Sequence, residues 1–163
     1  MDSNSLKKIT FDDLYSKASE YLHIQKNLDL IKKAYFYAKE KHEGQFRKSG
    51  DPYIQHPLEV AYYLATLHSS PETVCAGLLH DVLEDTNVTV DELRNMFLNE
   101  IVDGVITLTH RKDESYFEYI SRVSTSKLAK KVKAADLYIT RIKEPTKTDY
   151  KRLEKYKKAI LYR

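Results

Sequence analysis

The most concentrated chemistry in the chain is His80-Asp81-Val82-Leu83-Glu84-Asp85, where four ionisable side chains fall within six residues. If this segment is helical, His80 shares a strip of surface with Glu84, and Asp81 shares one with Asp85, because side chains four apart line up along a helix. An imidazole and three carboxylates so grouped can move protons, bind a cation or pair with one another. The preceding run, Val74-Cys75-Ala76-Gly77-Leu78-Leu79, is apolar throughout and reads as a buried helix that ends near Asp85. Ionisable groups at the end of a core helix are costly to bury unless paired, hydrogen-bonded or metal-bound. The competing reading is that the helix simply surfaces here and its acids are solvated. A His-Asp pair in isolation favours that plainer reading.

Other residues must therefore decide. Asp136 lies on the apolar stripe Leu128, Val132, Ala135, Ile139 and Ile142 of a helix expected over 126–142, where another apolar residue would fit. It is either an aspartate capped or paired with Lys133 or Arg141, or a ligand. His56 precedes Pro57, a residue suited to the first turn of a helix, so His56 stands at a helix start with Val60, Ala61, Leu64 and Leu67 behind it. Arg47 and Lys48 are adjacent in a loop rich in Gly and Pro. They can bind phosphate and stack on a base, although an ordinary solvated loop has the same composition. His42 continues the stripe Leu28, Ile31, Ala34, Tyr35 and Ala38 and reads as a packing residue, as Cys75 reads as a small core residue.

The elements that position these groups are helical. Thr10-Phe11-Asp12-Asp13 opens a helix with a capping threonine and acids in its first turn, continued by Leu14, Tyr15, Ala18 and Leu22. A second helix is expected over 27–42. Thr89 to Glu92 and Ser115 to Glu118 both have capping-box spacing. Ile101, Val102, Val105, Ile106 and Leu108 suggest a short apolar helix between them. A final helix over 149–162 carries a basic run that reads as a solvated face, on which Tyr156 is the residue that could point inward.

The chain has 163 residues, 42% hydrophobic and 31% charged, with 4 Gly and 4 Pro and no repeat, which suits one helical body. We expect a leader and helix over 1–25 and the main domain over 26–163. No apolar run reaches membrane-spanning length, and one cysteine suits a reducing cytoplasm. A net charge of +3 is too small to argue for nucleic acid and would equally suit a basic cleft for a phosphorylated small molecule.

Taken together, the motifs resemble the HD-domain phosphohydrolases, and within them the alarmone hydrolase branch formed by the hydrolase domain of RelA/SpoT proteins and the small alarmone hydrolases. The resemblance rests on His42-Glu43-Gly44-Gln45-Phe46-Arg47-Lys48, Pro52-Tyr53-Ile54-Gln55-His56-Pro57, Leu79 to Thr86, and Val132-Lys133-Ala134-Ala135-Asp136-Leu137. It spans roughly residues 30–159. It implies an all-α fold, a single HD-domain helical bundle around one divalent metal, usually Mn²⁺ in this branch. By resemblance, His56, His80, Asp81 and Asp136 are the metal ligands, a mixed nitrogen and oxygen set suited to Mn²⁺, Fe²⁺ or Zn²⁺. Glu84 and Asp85 are the catalytic carboxylates, and Arg47 and Lys48 contact the nucleotide.

The implied reaction is hydrolysis of the 3′-diphosphate of ppGpp or pppGpp to GDP or GTP and pyrophosphate, the partner being a phosphorylated purine nucleotide. The family commonly has an asparagine four residues after its last metal-binding aspartate. Thr140 takes that place here, so a two-point amide contact is lost and an adenine analogue becomes a possible substrate. Thr140 and Tyr156 join the substrate-binding candidates. The remaining residues leave no room for a synthetase domain, so hydrolysis alone is expected. Alternatives are an HD phosphohydrolase for another nucleotide, such as a 5′-nucleotidase, and a catalytically silent nucleotide binder. A pure binder has no need of Glu84 and Asp85. Nucleic-acid binding through the basic tail is the weakest reading.

Overall fold

The structure is a computed structural model and describes residues 8–143. The final helix expected over 149–162, with Tyr156, lies outside the described residues. Helices α1 (Phe11–Ser19), α2 (Gln25–Lys41), α3 (Gln55–Thr66), α4 (Pro71–Leu79), α5 (Val82–Asp85), α6 (Val90–Met96), α7 (Asn99–Leu108), α8 (Tyr116–Val123) and α9 (Lys127–Lys143) follow in order. The fold is all-α: among the described residues the one β-type pairing is an isolated bridge between Phe46 and Pro52.

Helix α4 is the axis. Every residue from Thr73 to Leu79 is buried, so its polar edge is confined to its two ends. Ser70 caps the start by accepting from the Thr73 N–H, and Pro71 occupies the first turn, where a missing N–H costs nothing. Helices α2, α3, α7 and α9 pack against α4, and α1 lies across α2 and α3. The approach of α3 is close. A Cβ added at Gly77 would stand 2.8 Å from Leu64 Cδ1, so glycine is what leaves room for that leucine side chain against α4. Leu58, Val60, Ala61 and Leu64 of α3, Ile31 and Ala34 of α2, and Ile101, Val102 and Val105 of α7 complete the core.

The helix ends follow the sequence signals unevenly. Thr10 and Ser115 form full capping boxes with Asp13 and Glu118. At Thr89 only half of the box forms: its hydroxyl accepts from the Glu92 N–H, while the Glu92 carboxylate takes the Tyr37 hydroxyl and pairs with Lys41 instead. Leu22 falls beyond α1, which ends at Ser19.

The largest departure is at the motif itself. The helix expected to run through to Asp85 stops at Leu79 and restarts at Val82. His80 and Asp81 therefore form a corner, and the expected shared strip of His80 with Glu84 on one helix is broken. The physical cause is local. The His80 ring bonds the Gly77 carbonyl at 2.7 Å, an acceptor that a continuing helix would give to the Asp81 N–H.

Candidate active site

Three helices bring three ligand-type side chains to one point. His56 enters from the first turn of α3, His80 from the end of α4 and Asp136 from the middle of α9. One donor atom of each lies within 4.8 Å of the other two. His56 Nε2 is 2.7 Å from Asp136 Oδ1, and His80 Nε2 is 3.7 Å from the same oxygen. Asp81, expected as a fourth member, stands beside this group rather than within its mutual spacing. Its Oδ2 is 3.2 Å from His80 Nε2 and accepts the Tyr53 hydroxyl at 2.6 Å. Lys133, one turn before Asp136, reaches Asp136 Oδ2 at 3.4 Å.

His80 gives the clearest test of whether a cation fits. Its Nδ1 is committed to the Gly77 carbonyl, so Nε2 is the atom turned toward the carboxylates. That nitrogen is buried and meets no acceptor in good hydrogen-bond geometry, although Asp81 Oδ2 stands 3.2 Å away, an arrangement that a ligand bond from a cation between them would satisfy better. The electrostatics agree. Burial opposes a charge on His80, yet the Asp81 and Asp136 carboxylates overcome it and raise its pKa well above the ordinary histidine range. Asp136 also pays desolvation, but Lys133, His56 and His80 hold it well below the usual carboxylate range. Asp81 is likewise held down by His80 against burial. A pocket that draws positive charge this strongly, with two imidazoles and carboxylates as donors, fits a divalent metal.

Outside this group stand Glu84 and Asp85 on α5, both exposed. Each is tied to a different loop. Glu84 Oε1 accepts the His110 N–H at 2.6 Å, and the Asp85 carbonyl accepts Gln45 Nε2 at 2.7 Å. Partial burial of the Asp85 carboxyl and the nearby Asp81 charge raise its pKa, favouring the protonated form. The Gln45 side belongs to the 42–54 loop, whose turns use positive φ at Gly44 and Gly50. Arg47 sits over the Tyr53 ring at 5.8 Å, and Lys48 is exposed beside it. Thr140, in the final turns of α9, directs its hydroxyl to the Asp136 carbonyl at 2.9 Å. Tyr156 lies outside the described residues.

Two residues of this neighbourhood were not read from sequence as functional. Tyr53 lies inside the Pro-Tyr-Ile-x-His-Pro run, yet a tyrosine in an apolar context gave no signal of its own. Its position is now a junction: the Asp81 carboxylate on its hydroxyl, Arg47 over its ring and the His42 ring 4.8 Å away. Burial first, and then the Asp81 charge, push its hydroxyl far above the ordinary tyrosine range. Lys133 was considered only as an ion-pair partner of Asp136 and proves to stand over the Tyr119 ring as well. His42 is buried, bonds Gln45 and is not part of the three-residue group.

Residues 34–148 match the HD domain family. The chain is 46% identical over 107 residues to a GTP pyrophosphokinase of Myxococcus xanthus, a match covering 61% of this chain and 14% of that protein. It is 42% identical over 112 residues to a guanosine-3′,5′-bis(diphosphate) 3′-pyrophosphohydrolase of Spiroplasma citri, covering 67% of this chain and 15% of that protein. The chain thus spans about one seventh of the length of these curated relatives. A solved structure of a metazoan ortholog of SpoT that hydrolyses ppGpp superposes with a TM-score of 0.66 at 24% identity, over 80% of this chain and 83% of that one, a likeness of fold. No helix among the described residues is long and apolar enough to cross a membrane. With the family match covering most of its length and the His-Asp corner at its centre, the chain belongs to the HD-domain family, homologous to a segment of the ppGpp pyrophosphohydrolases.

Proposed function

We propose that this chain is a metal-dependent phosphohydrolase that removes the 3′-diphosphate of guanosine alarmones, converting ppGpp or pppGpp to GDP or GTP and pyrophosphate. The observation that carries the reading is the convergence of His56, His80 and Asp136 on one point, with a buried His80 nitrogen turned toward carboxylates and in good hydrogen-bond geometry with none of them. The homology to 3′-pyrophosphohydrolases supports the substrate class. In this reading His56, His80, Asp81 and Asp136 hold the metal, with Mn²⁺ the preferred ion, and the hydrolase domain spans 26–163.

When bound, the metal supplies Lewis-acid charge to polarise the phosphate ester and acidify water. The chain's own residues do the rest. Glu84, held by the His110 N–H, is placed to orient water and take its proton. Asp85, raised by partial burial and by Asp81, is suited to hold a proton and deliver it to the departing 3′-oxygen. The water oxygen bonds to phosphorus as the bond to the 3′-oxygen breaks. Arg47 and Lys48 balance the phosphates, and the Arg47 plane over Tyr53 offers a stacking surface for a purine.

One observation keeps a second reading, an HD phosphohydrolase for another nucleotide. Thr140 spends its hydroxyl proton on the Asp136 carbonyl, so it has no donor left for a base or sugar. Recognition then rests on phosphates and stacking, which tolerate either purine. We expect kcat/KM for ppGpp to exceed that for its adenine analogue by less than roughly tenfold, about 1.4 kcal/mol. The test is incubation of purified protein and Mn²⁺ with ppGpp, the adenine analogue and mononucleotides, with products identified by chromatography. GDP and pyrophosphate support the proposal. Phosphate released only from mononucleotides replaces it with the nucleotidase reading. A guanine preference of roughly a thousandfold would show that other residues read the base.

A further inference from the structure

Arg122 on α8 uses all three nitrogens of its guanidinium. Nε donates to Glu114 Oε2 at 2.7 Å, and Nη2 donates to Glu114 Oε1 at 2.8 Å and to the Thr109 carbonyl at 2.9 Å. Nη1 donates to the Thr107 carbonyl at 2.9 Å. One planar group therefore closes the 109–114 loop, gripping the C-terminal carbonyls of α7 on one side and the last loop residue on the other. Glu114 in turn accepts the Arg111 N–H at 3.1 Å, and its carbonyl bonds His110 Nε2 at 2.8 Å. The Arg122 fork holds the Glu114 carboxylate at a pKa of about 2, so the pair is charged across the neutral range. The Tyr119 hydroxyl adds a bond to the Leu108 carbonyl at 2.6 Å, and its ring stands 4.9 Å from that of His110.

From the loop so fixed, the His110 N–H donates to Glu84 Oε1 at 2.6 Å. An exposed glutamate on a four-residue helix has ample rotamer freedom, and a charge-assisted bond to a rigid donor removes it. We propose that Arg122, acting through Glu114 and the His110 N–H, is a positioning residue that holds the Glu84 carboxylate in its working orientation. The proposal rests on the catalytic reading of Glu84 given above. A loop staple with no part in the reaction would change stability without changing how Glu84 works.

The test is a double-mutant cycle in full-length protein loaded with Mn²⁺, using Arg122→Lys, which keeps the charge and loses the fork, and Glu84→Gln. Arg122→Lys should lower kcat on ppGpp roughly tenfold with KM and metal content unchanged, and cost less than about twofold in the Glu84→Gln background. Glu114→Gln serves as the second variant should Arg122→Lys fold poorly. It should lower kcat in the same direction by a smaller factor and show the same loss of effect on Glu84→Gln. The amide proton of His110, followed by NMR in the inactive metal-free protein, should move in both Arg122→Lys and Glu84→Gln. Equal fold losses for Arg122→Lys in both backgrounds, or a change confined to KM, overturn the positioning role while leaving Glu84 catalytic. Full activity in Glu84→Gln alone overturns the Glu84 reading itself, and the proposal with it.

Discussion

His56, His80 and Asp136 are held by the interior, whereas Glu84 and Asp85 are held by loops. The first group projects from α3, α4 and α9, whose neighbouring residues Leu58, Leu79 and Val132 are almost fully enclosed. A close-packed interior fixes these side chains because any shift would open a void or force a clash. The second group rides on α5, which buries Val82 alone among its four residues. Two hydrogen bonds tie it to loops, one from Gln45 to the Asp85 carbonyl and one from the His110 N–H to the Glu84 carboxylate. The contrast suggests a division of labour. Under the proposed function, the buried side would supply fixed geometry for a cation, and the open side would supply groups that meet substrate and exchange protons with it.

The sharpest way to break that comparison is to remove one carboxylate from each side. Asp136→Ala should lose metal and activity together, because its Oδ1 is the atom shared by His56 and His80. Glu84→Ala and Asp85→Ala should keep their metal and lose turnover by roughly 10²-fold or more. Metal content by elemental analysis after dialysis, beside kcat on ppGpp, separates the outcomes. Equal loss of metal in all three variants would make the two sides one structural unit.

Tyr53 lies on the border and so sharpens the distinction. It belongs to the loop that carries Arg47, but its hydroxyl is bonded to the Asp81 carboxylate. Tyr53→Phe keeps the ring under Arg47 and deletes only that bond. Partners of ligating carboxylates typically matter 10- to 100-fold for metal affinity, so we expect a loss of roughly tenfold in Mn²⁺ affinity. KM for the nucleotide should change little. Chelator competition measures the first and steady-state kinetics the second. Unchanged affinity would place Asp81 outside the metal's influence, in keeping with its position beside the three-residue group.

The same contrast explains what could be read in advance. Helix positions were legible because apolar residues recur with helical period: Leu28, Ile31, Ala34, Tyr35 and Ala38 of α2 are all buried. Asp136 was conspicuous as a charge on an apolar stripe, and its nearness to His56 follows from α9 packing on α3. The corner at His80 was not legible, since Leu78-Leu79-His80-Asp81-Val82-Leu83 has unbroken helical pattern. It arises from a ring-to-carbonyl bond that leaves no trace in composition. Arg122 was passed over for a related reason. An arginine in a polar segment looks solvated until the Glu114 and α7 carbonyls that surround it are brought together by the fold.

The smallest expected effect concerns the loop side alone and uses pH. Glu114 has its pKa lowered to about 2, first by the Arg122 hydrogen bonds, against an unfolded value of about 4.3. Because the folded pKa is depressed, the stabilisation is present above the unfolded value and fades as pH falls through the folded one. Asp81 and Asp136 are depressed too, so wild-type stability on its own cannot isolate the clamp. The difference between wild type and Glu114→Gln can, since the buried carboxylates contribute equally to both. That difference should be greatest above about pH 5, shrink below about pH 4 and approach zero near pH 2. Solvent screening around this pair leaves roughly 1 kcal/mol of that difference, so at roughly 2–4 °C per kcal/mol for a chain of this size it amounts to a few degrees in Tm at most. Thermal melts of the two metal-free proteins across this range read it directly. A difference that stays constant with pH would mean that the Glu114 charge contributes nothing and that the Arg122 clamp works by shape alone.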